Sequence, residues 1–190
     1  MSQQDKERWD QRWADAGQPY PPHRLLVEHV TYLSGGSALD LACGRGQNAI
    51  WLAEIGYQVL GVDISPVALE AARHQAALHD VAGRVIFQQV DLDRWTLPQS
   101  AFDLVIVFRF LDRRLFGPIC DAVRPNGLLF YSTRHQGALS RHPEANQRYL
   151  LRPGELAAAF SDWRILHDEE GAVDAELIAR KPAISPAAER

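Results

Sequence analysis

Asp40-Leu41-Ala42-Cys43-Gly44-Arg45-Gly46-Gln47-Asn48, with Asp63 standing 23 positions beyond Asp40, constrains this chain more than any other feature. The stretch follows the short apolar run Ala38-Leu39 and opens a helix-like run, Ala49 to Glu54. A second apolar run, Val59-Leu60-Gly61-Val62, ends at Asp63. Strand, glycine turn, helix, strand and carboxylate form the layout of a nucleotide-binding βαβ unit. Gly44 and Gly46 let the backbone turn tightly and approach a ligand with no Cβ in the way. Asp63 at a strand end can accept both hydroxyls of a ribose. An ordinary tight turn would explain Gly-x-Gly alone, but not the placing of both carboxylates.

Asp40 selects among ligands. In a dinucleotide site, pyrophosphate would lie just beyond it, and a carboxylate there repels phosphate. The same carboxylate pairs with an ammonium group. S-adenosyl-L-methionine (SAM) has an amino group and a ribose, and no phosphate. The stretch resembles motif I of the class I SAM-dependent methyltransferases, with Ala42 replacing the first glycine of that pattern. Asn48 closes the turn and joins the cofactor set. Asp63-Ile64-Ser65 resembles motif II, which implies Asp63 on the ribose and Ile64 on adenine; a helix cap is the plainer reading, and Ser65 can supply that cap alone. Asp91-Leu92-Asp93 resembles the acidic motif after strand 3. That implies a hydrogen bond from the adenine amino group to Asp91 and a ring nitrogen facing the Leu92 amide. A solvated loop carboxylate is the alternative.

The chain has 190 residues, 46% hydrophobic and 23% charged, with net charge −4. One domain with a substantial core is expected. The charge argues against a large basic surface for nucleic acid. Two cysteines give no disulfide framework, and Cys43 and Cys120 are expected as free thiols. The charged stretch from Met1 to Asp10 has no apolar core of a signal peptide, and no run reaches a membrane span. A cytoplasmic protein, monomer or homodimer, is the expectation. The domain is expected over 1–181, with a helical cap at 1–34 and a flexible tail at 182–190.

Helices are expected at 3–16 and 23–34, the second with Leu25, Leu26, His29, Val30 and Leu33 inward, and Gly17 to Pro22 breaking between them. Strands are expected at 37–42, 58–63, 84–90, 102–108 and 128–133, with helices at 47–55, 65–79, 113–123 and 153–160. Arg124-Pro125-Asn126-Gly127 reads as a turn. Segments 163–169 and 175–181 lie too close for a helical crossover and should form an antiparallel hairpin. The fold class is α/β: a three-layer sandwich around a Rossmann-like seven-stranded sheet that ends in that hairpin. The methyltransferase fold ends in the same way, a match independent of the glycine turn.

Phe108-Arg109-Phe110 ends strand 4, next to the crevice where open α/β sheets bind ligands. Phe108 is expected as a wall of the cofactor site. Arg109 is expected either to attract an anionic acceptor or to pair with Asp112. Arg134-His135 ends strand 5. The run Asn146 to Leu156 that follows resembles the tellurite-resistance-type branch of small-molecule methyltransferases, a likeness that covers about residues 7–181. Many of its members have Thr-Phe where this chain has Thr133-Arg134-His135. Trp9, Arg12 and Trp13 share a helix face. They read as a lid over SAM, with Arg12 toward the methionine carboxylate, or as core packing. The seven histidines lack the spacing of metal ligands, so no metal is expected.

The reading is SAM-dependent methyl transfer to a small acceptor, anionic or thiolate-like. Arg134 or Arg109 would anchor the acceptor, Glu155 would supply part of the charge balance, and His135 would accept a proton where one is needed. An NAD(P)-dependent oxidoreductase and a catalytically silent SAM-binding or partner-binding domain remain the alternatives.

Overall fold

The central strands form where apolar residues run together. The computed structural model describes residues 3–14 and 20–183. Residues 15–19 and 184–190 lie outside it, and with them the end of the first expected helix, part of its Gly17–Pro22 break and most of the expected tail. The chain packs as two compact units, Met1–Thr96 and Leu97–Arg190.

In the first unit, α1 is Gln3–Ala14. Helix α2 is short, Arg24–Glu28, followed by a 3-10 turn at Val30–Tyr32. The single helix expected over 23–34 breaks at His29, whose ring bonds the Leu25 carbonyl at 3.1 Å. Leu25 and Leu26 are buried as expected, but Val30 is exposed. The β-branched Val27, Val30 and Thr31 lower the helix preference in this stretch. Strand β1 is Gly36–Leu41, α3 is Gln47–Glu54, β2 is Tyr57–Asp63, α4 is Pro66–Leu78 and β3 is Val85–Gln89. β2 pairs in parallel with both β1 and β3. Ser65 caps α4, accepting the Ala68 N–H at 3.2 Å, and Pro66 occupies its first turn.

In the second unit, β4 is Phe102–Phe108, and Leu104, Val105, Ile106 and Val107 are all fully buried. A 3-10 turn at Arg113–Leu115 leads into α5, Phe116–Ala122. Strand β5 runs Val123–Arg134 and pairs in parallel with β4. Its pairing jumps from Phe102↔Val123 to Leu104↔Leu128. The expected turn at 124–127 is therefore a bulge inside the strand, with Asn126 in the left-handed region at φ 65°. Short 3-10 turns at Gln136–Ser140 and Gln147–Tyr149 precede α6, Glu155–Ala159. The expected hairpin is present as β6, Arg164–Glu170, and β7, Asp174–Arg180. β7 runs antiparallel to β5 as well.

The strand order is β3-β2-β1-β4-β5-β7-β6. This is the expected α/β Rossmann-like sheet with its antiparallel end. Among the described residues, no helix is long and apolar enough to cross a membrane.

Candidate cofactor and acceptor sites

Leu41 is the last residue of β1, because Ala42 turns the backbone into the left-handed region at φ 56°. Gly44 and Gly46 follow at φ 54° and 75°. The turn is tied down by Cys43 N–H to the Val62 carbonyl at 3.0 Å and Gly46 N–H to the Cys43 carbonyl at 3.0 Å. Ala42 therefore adopts a glycine-like conformation despite its Cβ, a strained position in a turn built to approach a ligand. The remaining glycines are required by contact. A Cβ on Gly44 would lie 2.8 Å from the Trp13 ring, and one on Gly46 would lie 2.6 Å from Phe87.

Asp40 is 1% exposed at the end of β1. The Ala49 N–H in the first turn of α3 bonds its carboxylate, and Oδ2 has no hydrogen-bond partner. Burial pushes this carboxyl well above the usual range, and the charge of Asp63 adds to that shift. Asp63 is nearly as buried and its carboxyl is also raised by burial, against the pull of its backbone hydrogen bonds. The Gly44 N–H donates to Asp63 Oδ2 at 2.8 Å, and the Ser65 N–H donates to Oδ1 at 2.9 Å. Asp63 thus clamps the glycine turn to the start of α4. A carboxylate offers about four lone-pair directions, so capacity for ribose hydroxyls remains.

Asn48 is buried in the first turn of α3. Its Oδ1 accepts the His23 N–H at 2.8 Å and so ties the approach to α2 onto α3. Ile64 and Leu92 are buried, and Asp91 is half-buried, its Oδ1 accepting the Asp93 N–H at 3.0 Å. Trp9 and Trp13 stack with ring centroids 6.2 Å apart, and Trp13 lies against Gly44. The exposed Arg12 guanidinium sits 5.2 Å over the Trp9 ring. Helix α1 is fixed by Asp10, whose carboxylate accepts the Ser65 hydroxyl and the Lys6 ammonium. Sequence reasoning missed Asp10 because nothing in its spacing points to a partner 55 residues away.

These residues fit the cationic, phosphate-free SAM. Two buried carboxylates, one with an orphaned oxygen, border a turn with no Cβ at Gly44 or Gly46. A cation favours the ionised form of these carboxyls, and a pyrophosphate disfavours it.

In the second unit, Phe108 is buried and Arg109 follows at φ 56°, exposed, its N–H bonded to the Ser132 carbonyl at 2.8 Å. A bulky residue in the left-handed region is unusual and clusters at functional sites. Asp112 pairs with Arg114. Arg134 ends β5, is exposed, and enters no side-chain hydrogen bond or ion pair among the described residues.

His135 and Glu155 depart from expectation. The Gly137 N–H donates to His135 Nδ1 at 3.3 Å, and Nε2 faces the Gly171 carbonyl at 2.7 Å. An amide N–H can only donate and a carbonyl can only accept, so the ring is the neutral Nε2–H tautomer. Both nitrogens are occupied, and His135 joins the end of β5 to the hairpin turn, with no lone pair left for a substrate proton. Glu155 does not balance Arg109 or Arg134. It takes the Arg113 guanidinium on both oxygens, while Arg113 also donates to the Arg148 and Leu150 carbonyls. That fork orders the segment after β5 and is hidden in the sequence, its partners lying 42 apart.

The hairpin also gathers His167, Glu169 and Glu176, whose donor atoms lie within 4.8 Å of one another. The linear spacing of the histidines conceals this grouping.

A family described as a methyltransferase domain matches residues 38–127, which span the glycine turn, Asp63, Asp91 and β4. The chain is 26% identical over 175 residues to a ubiquinone biosynthesis O-methyltransferase of Albidiferax ferrireducens, covering 77% of this chain and 69% of that one. It is 33% identical over 114 residues to the mitochondrial ubiquinone biosynthesis O-methyltransferase of Schizosaccharomyces pombe, covering 57% of this chain and 41% of that one. Among solved structures, TehB of Haemophilus influenzae superposes with a TM-score of 0.73 at 15% identity, over 93% of this chain and 66% of that one. A SAM-dependent methyltransferase of Methanosarcina mazei gives 0.69 at 17% identity, over 86% of this chain and the whole of that one.

Proposed function

We propose that this SAM-dependent methyltransferase transfers the methyl group of its cofactor to a small, anionic acceptor. Arg134 carries the reading: an exposed arginine ending β5 with no ion partner among the described residues. The segment 134–152 holds four arginines, Arg134, Arg141, Arg148 and Arg152, against one acid, Glu144. These exposed cations give the segment a local positive field that attracts an anion. Arg109 adds a further cation at the end of β4, held in a strained backbone conformation.

When bound, the cofactor supplies a methyl group already activated on a positive sulfur. The protein's own work is then proximity, alignment and exclusion of water. Asp40, Asp63 and the glycine turn hold the cofactor, with Asp91, Leu92 and Ile64 serving adenine. Trp13 covers the glycine turn, with Trp9 stacked on it. The resemblance assigns Phe108 to the cofactor, and Arg134 or Arg109 is assigned to the acceptor. With both His135 nitrogens bonded to backbone, the acceptor arrives as its own anion, such as a thiolate, carboxylate or phenolate. The O-methylation named for the relatives fits the phenolate choice. The run Asn146 to Leu156 supports a reading within the tellurite-resistance-type branch, and we assign the chain to the cytoplasm.

Tritiated-methyl transfer to a panel of acidic and neutral small molecules tests the reading. Anions should be methylated and their neutral analogues should not. Arg134→Ala should raise the acceptor Michaelis constant by about tenfold or more, the loss of one charged hydrogen bond, with SAM affinity unchanged. If SAM binding weakens and acceptor kinetics stay the same, Arg134 belongs to the cofactor site and the anionic acceptor loses its main support.

A further inference from the structure

Among the described residues, Asp40 has the only buried carboxylate oxygen without a hydrogen-bond partner. Its other oxygen is served by the Ala49 N–H, and the residue is 1% exposed. Asp63 bears on it from β2 as a like charge, and Cys43 lies in the adjoining turn as a buried neutral thiol. From α4, Arg73 acts on Cys43, while its guanidinium is held by the Phe87 carbonyl and Glu70. From α1, Asp10 acts on Asp63 and is itself paired with Lys6. Strand β3 offers no titratable side chain. An ionised carboxylate with a bare buried oxygen beside a second carboxylate is costly, and a proton or a cation relieves that cost.

We propose that Asp40 carries a proton in the cofactor-free chain and releases it to solvent when the cationic cofactor binds, so that the site separates SAM from its demethylated product by charge. The inference rests on the cofactor reading above. SAM carries one positive charge more than the product, whose sulfur is neutral. Burial and Asp63 hold the Asp40 carboxyl well above its usual range, and a nearby cation draws it down again. SAM does this more than the product, so SAM binding releases more protons. By linkage, SAM affinity then rises with pH faster than product affinity does. The ratio of the two grows by at most about tenfold per pH unit where a full proton separates them.

Calorimetry of both ligands near neutral pH, in buffers of different ionisation heat, counts the protons directly. The expected result is greater release with SAM than with the product, and loss of that difference in Asp40→Asn. Thermal unfolding of the ligand-free chain gives a second readout. A carboxyl raised by folding contributes stability that is present in acid and lost as pH rises through its raised value. The melting temperature of the wild type should therefore fall over that range, and that of Asp40→Asn should fall less. If the variant does not fold, the wild-type proton count decides alone. Equal proton counts for the two ligands, or wild-type release in the variant, overturn the proposal and leave the cofactor reading standing. If neither ligand binds, both fall together.

Discussion

Gly46→Ala is expected to abolish measurable SAM binding and to destabilise the fold by several kcal/mol. Two independent costs add. Gly46 sits at φ 75°, where a residue with a Cβ costs about 1–2 kcal/mol. The new methyl would also meet the Phe87 ring at 2.6 Å and the Ala72 Cβ at 2.9 Å, beneath the turn. Overpacking of that kind costs about 1–3 kcal/mol and moves backbone. Phe87 is buried and Ala72 is fixed on α4, so neither has room to yield. The backbone that moves is the turn itself, whose Gly44 N–H is bonded to Asp63. Chemical denaturation and calorimetry on the same preparation check both parts. A variant with wild-type stability and wild-type affinity would show that the turn neither needs glycine here nor meets the ligand.

Asp63→Ala is expected to lower SAM affinity at least about tenfold, since it removes charge-assisted hydrogen bonds worth about 1.5–3 kcal/mol each. From the sequence alone, the same change should leave the ligand-free protein's melting temperature almost untouched, because Ser65 can cap α4 by itself. The structure replaces that expectation. Asp63 accepts the Gly44 and Ser65 N–H groups at 2.8 and 2.9 Å, and the variant orphans two buried donors. The melting temperature of the ligand-free variant should therefore fall too. Affinity is to be measured well below that temperature, so that the two losses separate. A fall in stability with affinity unchanged would make Asp63 a clamp for the turn and not a ribose ligand.

Strand β4 was legible to the residue, because a run apolar on both faces has few alternatives to a central buried strand. Strand β1 ends one residue early because Ala42 takes up the left-handed turn that glycine usually makes. The Pro-Asn-Gly at 125–127 carries every local mark of a turn, yet β5 pairs on both sides of it and absorbs it as a bulge. What stayed hidden are side-chain bonds between distant residues: Asn48 to His23, Ser65 to Asp10, and Arg113 to Glu155. Local spacing locates a residue on an element but does not say which remote backbone group its polar atoms will meet. His135 shows the same limit. Its place at the end of β5 suggested chemistry, and only the hairpin turn folding back to it reveals that its ring is a strut.

Calorimetric titration of the purified protein with SAM, its demethylated product and NAD tests the central claim most directly. The account predicts that SAM and the product bind and that NAD does not, because a cation stabilises the ionised forms of the buried Asp40 and Asp63 carboxyls and a phosphate does not. Tight binding of NAD with no binding of SAM would contradict it and return the chain to the oxidoreductases.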